Sequence, residues 1–575
     1  MKNFDPVLVE VVKHELISVA EEMAIAISKT GRSAMVKMGD FGVAICDARG
    51  RVMGPGYASP LQMVNFVEIM NALYRKWGGR IVPGDLIIMN DPLSGAGHMP
   101  DIAVIAPVFW HDQLAAFTIA YSHHTDIGGR FAGGMSSQAR NSFEEGIRIP
   151  MVKLAEAGVR NEALMETLLG NIRAPEDFKG DMEAKIAGCW RGEKEIRGLL
   201  DKYGIEGFES CGRYLVEYSE RVARETIRQI PPGRYVAEDY FEDDGFGGDV
   251  KLPIKVTLTV QGDSLTLDFT GTGPQAASGI NVPIGMSKAM AVGALKMIIG
   301  PEVMVNEGYM RSLTINIPSG TLLNPDFPGA VGGRAPLMFR VADIVLRALA
   351  KALPERVPVT HEGGDVLHFA GKREGGADFA LMDIFSGGWG GRPAIDGIDG
   401  VSPMLIGGYG TVPAELIERE YPMVVEGFGL VGDSAGAGKH RGGLAVYRQW
   451  RFLAPGHIMV RTTKPARASA GLAGGASGTI SDNILTSGGE RRVLPQQTHQ
   501  HLDVKPGDVL YHVTPGAGGH GNPLERDPQA VLQDFVDEKI SAGCAAEQYG
   551  VVIDAGAGKL DLKATRERRA AATAG

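Results

Sequence analysis

The stretch that decides the fold reads His98-Met99-Pro100-Asp101, an apolar run over 102–110, the polar link His111-Asp112-Gln113, a second apolar run over 114–122, and then His123-His124-Thr125-Asp126-Ile127-Gly128-Gly129. Two strand-length apolar runs joined by so short a polar link form a β-hairpin. A three-residue turn centred on Asp112 sets Asp101 opposite His123, and a four-residue turn sets it opposite His124. Residues opposed across an antiparallel ladder hold their Cβ atoms about 5 Å apart on one face. Either register therefore places a carboxylate beside an imidazole at the open end of the hairpin. His98, three residues before Asp101, folds over that end from the entering loop. Two imidazoles and a carboxylate at a strand end are a donor set for zinc, with manganese or iron(II) as alternatives. Asp40, the charge in Met38-Gly39-Asp40-Phe41-Gly42, offers a second carboxylate.

Working outward, the N-terminal side opens with Asp5-Pro6, a cap and first-turn proline for a buried helix over 7–27. Strand-like segments follow at 34–38 and 42–46, the second turning at Asp47-Ala48-Arg49-Gly50. A helix over 61–77 stops at Gly78-Gly79, and the run 86–89, between Pro83-Gly84 and Asp91-Pro92, is a buried strand. Beyond the hairpin, 161–230 has a helical pattern that ends at Pro231-Pro232-Gly233, a candidate domain boundary. The period then switches to two across 252–260 and 265–269, with a turn at Gly262-Asp263, which predicts another hairpin. Helices are expected over 287–299 and 337–353. The glycine-rich C-terminal part reads as strands with a closing helix over 529–538, and the basic, alanine-rich tail from Lys563 as frayed. The sum is a multidomain α+β protein. A helix-rich metal-bearing region covers 1–230, a mixed α/β region 231–450 and a β-rich region 451–575.

Composition narrows the function. A chain of 575 residues exceeds one compact core. Its net charge of −10 argues against nucleic acid as a partner, because phosphate contacts need clustered Lys and Arg. Cys46, Cys189, Cys211 and Cys544 lack the C-x-x-C spacing of a zinc ribbon and read as free thiols. Glu10, Lys13 and Glu15 break the first apolar run, so no signal peptide is expected. No stretch reaches the ~18 apolar residues that span a bilayer. A cytoplasmic protein without a membrane association is the expectation. The 79 glycines are about twice the usual ~7% share.

Two tempting motifs fail on physical grounds. Gly432-Asp433-Ser434-Ala435-Gly436 fits G-x-S-x-G, but a nucleophile elbow must open a helix, and Gly436-Ala437-Gly438-Lys439-His440-Arg441-Gly442-Gly443 cannot start one. The same stretch misses a phosphate loop, since Gly432 stands one residue too early and His440 replaces the Ser or Thr. If ATP is used, another chain binds it. Gly387-Gly388-Trp389-Gly390-Gly391-Arg392 and Pro515-Gly516-Ala517-Gly518-Gly519-His520-Gly521 line either a pocket or tight turns between packed strands.

Taken in order, Asp40-Phe41, Asn90-Asp91-Pro92, His98-Met99-Pro100-Asp101, His123-His124-Thr125-Asp126, Glu145-Gly146-Ile147-Arg148-Ile149-Pro150, Asp268-Phe269-Thr270-Gly271-Thr272, Asn324-Pro325, Phe327-Pro328, Gly387-Gly388-Trp389-Gly390 and Asp433-Ser434-Ala435-Gly436 resemble the hydantoinase B/oxoprolinase family from Asp5 to about Val552. That family also takes in caprolactamase and the large subunits of acetone and acetophenone carboxylases. The resemblance implies a divalent metal on Asp40, His98, Asp101 and His123. It further implies a hetero-oligomer with a hydantoinase A-type subunit, on which ATP phosphorylates the oxygen of a small-molecule substrate. The implied activity is the opening of a cyclic amide: a hydantoin, 5-oxoproline or a lactam. The alternatives are the large subunit of an ATP-dependent ketone carboxylase and a non-catalytic structural subunit. Asp126 or His124 would accept a proton or orient water. Leu93, Gly97, Met38-Gly39 and Gly133-Gly134-Met135 depart from the family pattern near the site and bear on the substrate more than on the metal.

Overall fold

The structure is a computed structural model that describes residues 6–53, 56, 59–302, 304–361, 363–406 and 410–574. It is a multidomain α+β fold whose contacts divide the chain into two compact units. The first comprises Met1–Ala348 with Asp378–Met382 and Gly408–Gly410; the second comprises Leu349–Ala377, Asp383–Gly407 and Thr411–Gly575. Pro231-Pro232-Gly233 lies inside the first unit.

In the first unit the chain begins with α1 (Pro6–Thr30) and α2 (Ala34–Met38). The Asp5 cap expected for α1 lies outside the described residues. Val9, Val12, Leu16, Val19, Ala20, Met23 and Ile27 are buried along one stripe, while Val7, Val11 and Ile25 are exposed. α1 is thus amphipathic rather than wholly buried. The strand expected over 34–38 is instead α2, because the Ser33 hydroxyl accepts the Val36 N–H and nucleates a helical turn. Next come β1 (Phe41–Asp47), α3 (Pro60–Trp77) and β2 (Leu86–Met89). Ser59 and Gln62 form a reciprocal capping box at the start of α3.

The hairpin follows as β3 (Asp101–Trp110) and β4 (Gln113–His123). Its turn is shorter than expected: Trp110 pairs with Gln113 across a two-residue loop, with His111 and Asp112 both at positive φ. Near the turn Phe109 faces Leu114, but Val108 faces Ala116, so β4 carries one extra residue, Ala115. That bulge restores the register a three-residue turn would have given, and Asp101 faces His123.

With β5 (Val152–Glu156) and β6 (Val159–Arg160), these strands form an antiparallel sheet in the order β1-β4-β3-β2-β5-β6. α4 (Glu162–Leu169) leads into α5 (Pro175–Arg228), a 54-residue element broken at Gly204. α5 packs on α1, β3 and β4. Ile102, Val104, Ala106 and Val108 are fully buried in this core with Met182, Ile186 and Cys189 of the helix. Each buried Ile, Val or Met side chain among them contributes about 1.5–3 kcal/mol.

A second sheet holds β7 (Gly233–Asp243), β8 (Asp249–Gln261), β9 (Ser264–Asp268) and β10 (Leu313–Asn316). The predicted hairpin is β8–β9, and β10 adds parallel to β9. Helices Ile284–Lys296, Glu307–Arg311 and Ala335–Ala350 complete the unit.

The second unit is β-rich. Met423–Val431, Ala445–Phe452, Val509–Val513, Asp482–Ser487 and Glu490–Val493 form one antiparallel sheet in that order. The glycine-rich segments pack backbone on backbone. A Cβ at Gly516 would collide with the Ser434 carbonyl, so this close approach accounts for the glycine there. Ser434 follows a strand but opens no helix: its hydroxyl donates to Val431 O at 2.6 Å and accepts from Ala445 N–H at 2.8 Å. The closing helix is Pro528–Val536, followed by an unforeseen helix Ala542–Tyr549. The tail expected to fray is a helix, Leu562–Ala574. Arg569 docks it by donating to Tyr549 O at 3.0 Å and Arg526 O at 2.7 Å.

Candidate metal centre

The open end of the hairpin joins three ligand-type side chains. Asp101 begins β3, His123 ends β4, and His98 sits on the loop between the short helical turn Pro92–Ser94 and β3. Their donor atoms lie within 4.8 Å of one another, and all three residues are buried. His98 Nδ1 is 2.7 Å from Asp101 Oδ2, and His98 Nε2 faces His123 Nε2 at 3.1 Å. Met135 Sδ stands 3.0 Å from the same His123 nitrogen. Two imidazoles and a carboxylate brought this close fit a divalent cation, whose ligands, each about 2 Å from the ion, stand about 3–4 Å apart. Burial alone would raise the Asp101 carboxyl, but the charge and hydrogen bond of His98, with Arg334 and His123, hold it well below the usual carboxylate range.

Asp40 belongs to the same corner without belonging to that close group. Its carbonyl accepts the His123 N–H at 3.3 Å, and it immediately precedes β1. Gly97 presses against Asp101: a Cβ there would meet Asp101 Oδ2, the Met286 methyl and Arg334. The Gly97 N–H donates to the Tyr121 hydroxyl at 2.8 Å, and burial followed by the Asp101 charge raises that phenol well above its ordinary value.

The two candidates for proton transfer are engaged elsewhere. Asp126 is buried and both its oxygens are occupied. Oδ1 accepts from Gly133 N–H at 3.2 Å and Arg173 Nη1 at 2.9 Å; Oδ2 accepts from Gly128 N–H at 3.0 Å and Arg173 N–H at 2.9 Å. Four donors on one carboxylate pin the loop that follows β4. His124 lies on the α5 side, with its ring 4.6 Å from Phe178 and its Nε2 at 2.8 Å from Lys185 Nζ. Lys185 also donates to Ile102 O at 2.9 Å. Burial depresses the Lys185 amine to about 7, and burial, then Lys185 and His123, push His124 well below its usual value.

Residues that the sequence did not single out complete the surroundings. Arg334 immediately precedes the helix Ala335–Ala350, is buried, and places Nη2 3.5 Å from Asp101 Oδ2. Glu145, also buried, accepts with Oε1 from the N–H groups of Val331 and Gly332, while its Oε2 has no hydrogen-bond partner. Burial raises its carboxyl to about 8 against the opposing pull of those N–H groups. A charged residue inside the apolar, glycine-rich stretch Gly329-Ala330-Val331-Gly332-Gly333-Arg334 was the signal available. A small cleft of about 20 Å³, room for about one water, adjoins through Met99 and Val331 and is further lined by Leu93, Arg148, Pro283 and Phe327. At its wall Arg148 makes a bidentate pair with Asp91, both contacts at 3.0 Å, and lies 4.8 Å over the Phe327 ring.

The fold and site together define an α+β protein with a buried histidine–carboxylate centre at a hairpin end. By sequence, the chain belongs to the hydantoinase B/oxoprolinase family, matched over residues 5–523. It is 32% identical to the B-type chain of a putative D-/L-hydantoinase of Pseudomonas sp. (strain NS671), over 99% of this chain and 98% of that one. It is 31% identical to the beta chain of the caprolactamase of Pseudomonas jessenii, over 99% and 100%. The crystal structure of the ATP-dependent caprolactamase from that organism matches with a TM-score of 0.90 at 30% identity, over 99% of this chain and 100% of that one. The nucleotide-free acetone carboxylase structure shares the fold with a TM-score of 0.89 at 19% identity, over 99% and 83%. Among the described residues no helix is long and apolar enough to cross a membrane.

Proposed function

We propose that this chain is the metal-bearing subunit of an ATP-dependent hydrolase that opens a cyclic amide: a hydantoin, 5-oxoproline or a lactam. A hydantoinase A-type partner phosphorylates the amide oxygen with ATP, because an unstrained amide is a poor electrophile. Water then adds to the activated carbon and the C–N bond breaks. The nitrogen leaves as an amine, or as a carbamoyl NH2 from a hydantoin, giving an acyl phosphate that a second water cleaves to a carboxylate and inorganic phosphate. The observation that carries this reading is the meeting of His98, Asp101 and His123 at one strand end. It is supported by membership of the family and by relatives named as subunits of a hydantoinase and a caprolactamase.

His98, Asp101 and His123 would hold a zinc ion, or manganese or iron(II), with Asp40 closing the set. Such an ion supplies Lewis-acid polarisation of an oxygen. The chain's own residues do the rest. Asp101 orients His98 through the 2.7 Å contact to Nδ1. Asp126 fixes the loop after β4 rather than moving a proton, and Lys185 holds the His124 ring from behind.

Elemental analysis of the purified chain, followed by assay with its partner on hydantoins, 5-oxoproline and lactams with ATP, tests the proposal. Zinc, manganese or iron near one equivalent is expected, and His98→Ala or His123→Ala should lower metal content at least about tenfold with a parallel loss of turnover. A metal-free wild-type chain that is fully active in the complex would sink the metal assignment. ATP- and ketone-dependent fixation of bicarbonate without ring opening would replace hydrolysis by carboxylation.

A further inference from the structure

Arg334 is buried beside the centre without being locked to anything in it. Its Nη2 lies 3.5 Å from Asp101 Oδ2, too far for the short charge-assisted hydrogen bond such a pair makes when it serves only itself. Its Nε is buried with no hydrogen-bond partner. A guanidinium carries five N–H donors and is costly to bury unless they are used. The groups that act electrostatically on it are Asp101, Tyr121, Glu145 and Asp40. Glu145 has one oxygen fixed by two backbone N–H groups, and its other oxygen makes no hydrogen bond to Arg334. The charge balance then depends on the cation. With the centre empty, Arg334 is the countercharge of Asp101. When a divalent ion is held by Asp101 and its neighbours, that role passes to the ion, and the guanidinium becomes surplus positive charge in a site closed to solvent. Such a group calls for an anion.

We propose that Arg334 binds the phosphoryl group of the activated substrate. The inference rests on the proposed function, in which the compound reaching this centre carries a phosphoryl group added by the partner. A guanidinium meets two phosphoryl oxygens with two parallel N–H donors, a geometry that a lysine cannot reproduce. Arg334 also immediately precedes the helix Ala335–Ala350, whose N-terminal end favours negative charge. Gly97 keeps Arg334 and Asp101 close to the entering loop, since a side chain there would push into both.

The test is isothermal titration of inorganic phosphate into the full-length chain, loaded with zinc and checked for it by elemental analysis. Wild type should bind phosphate more tightly with zinc than without it. Arg334→Gln should weaken phosphate binding about tenfold or more at unchanged zinc content. Arg334→Lys, which keeps the charge, should weaken it about threefold or more. If Arg334→Gln fails to fold or to hold zinc, the Arg334→Lys comparison decides alone. A zinc-loaded wild type that binds no phosphate, or a zinc-loaded variant that binds it as tightly as wild type, overturns this inference and leaves the proposed function standing. A wild-type chain that takes up no metal overturns both.

Discussion

Glu145 shows how much the surroundings of one side chain decide. Two backbone N–H groups stabilise its charge, yet burial outweighs them and the carboxyl sits near 8. In the unfolded chain the same group titrates near its ordinary value of 4.5. Between these pH values the folded protein keeps a proton that the unfolded chain gives up, so stability falls as pH rises from about 4.5 to about 8. Glu145→Gln removes that dependence. In thermal unfolding, its stability relative to wild type should increase between pH 5 and pH 8, and a constant difference would show that Glu145 is charged in the fold. The triad was legible in the sequence because Asp101 and His123 share one ladder and His98 precedes them on the same loop. Asp126 is held by four donors that include Gly133 and Arg173, which no spacing rule brings near. Arg334 and Glu145 were missed as site residues for the same reason, since each arrives from a distant loop.

At the level of elements, one of the two hairpin registers left open by the sequence is the observed one, reached through a turn that neither assumed. The sequence cannot show that a two-residue turn at positive φ and a bulge at Ala115 offset each other. Yet the outcome depends on both, because a one-residue slip moves every side chain of a strand to the opposite face. Deleting Ala115 removes the extra residue itself, so the bulge should vanish while Val108 still faces Ala116 and Asp101 still faces His123. Metal retention should stay within about twofold of wild type, since the residues of β4 beyond the bulge keep their partners and their faces. A deletion variant that loses its metal would show that the bulge, and not the ladder pairing alone, sets the site. The short segment 34–38 was misread because five residues carry too little periodicity to tell a helix from a strand, whereas the long patterns of α3 and α5 were unambiguous. The terminal helix escaped notice because its docking depends on Arg569 reaching backbone carbonyls of residues far from it in the chain.

For the molecule as a whole, the α+β class and the glycine-rich β character of the C-terminal part follow from composition and period, while the packing of each unit does not. In the second unit a network of buried charges links segments that are remote in sequence. Arg526 bridges Asp396 at 2.6 Å and Asp534 at 2.7 Å, and Arg441 bridges Asp399 at 2.8 Å and Asp534 at 3.2 Å. Asp534→Ala leaves two buried guanidinium groups short of a partner and should cost about 3–5 kcal/mol. The check is a lowered unfolding midpoint with metal content per chain unchanged at low temperature. A shift no larger than that of a surface substitution would show that Asp396 and Asp399 suffice.

His98 and His123 are only 25 residues apart in the chain, and β1 to β4 all precede the long helix. Hairpins close within about 1–10 μs, whereas distant pairings wait for the loops between them. The donor atoms can thus meet while most of the polypeptide is still being synthesised, so an ion captured then would anchor the first ladder of the sheet before Arg334 exists.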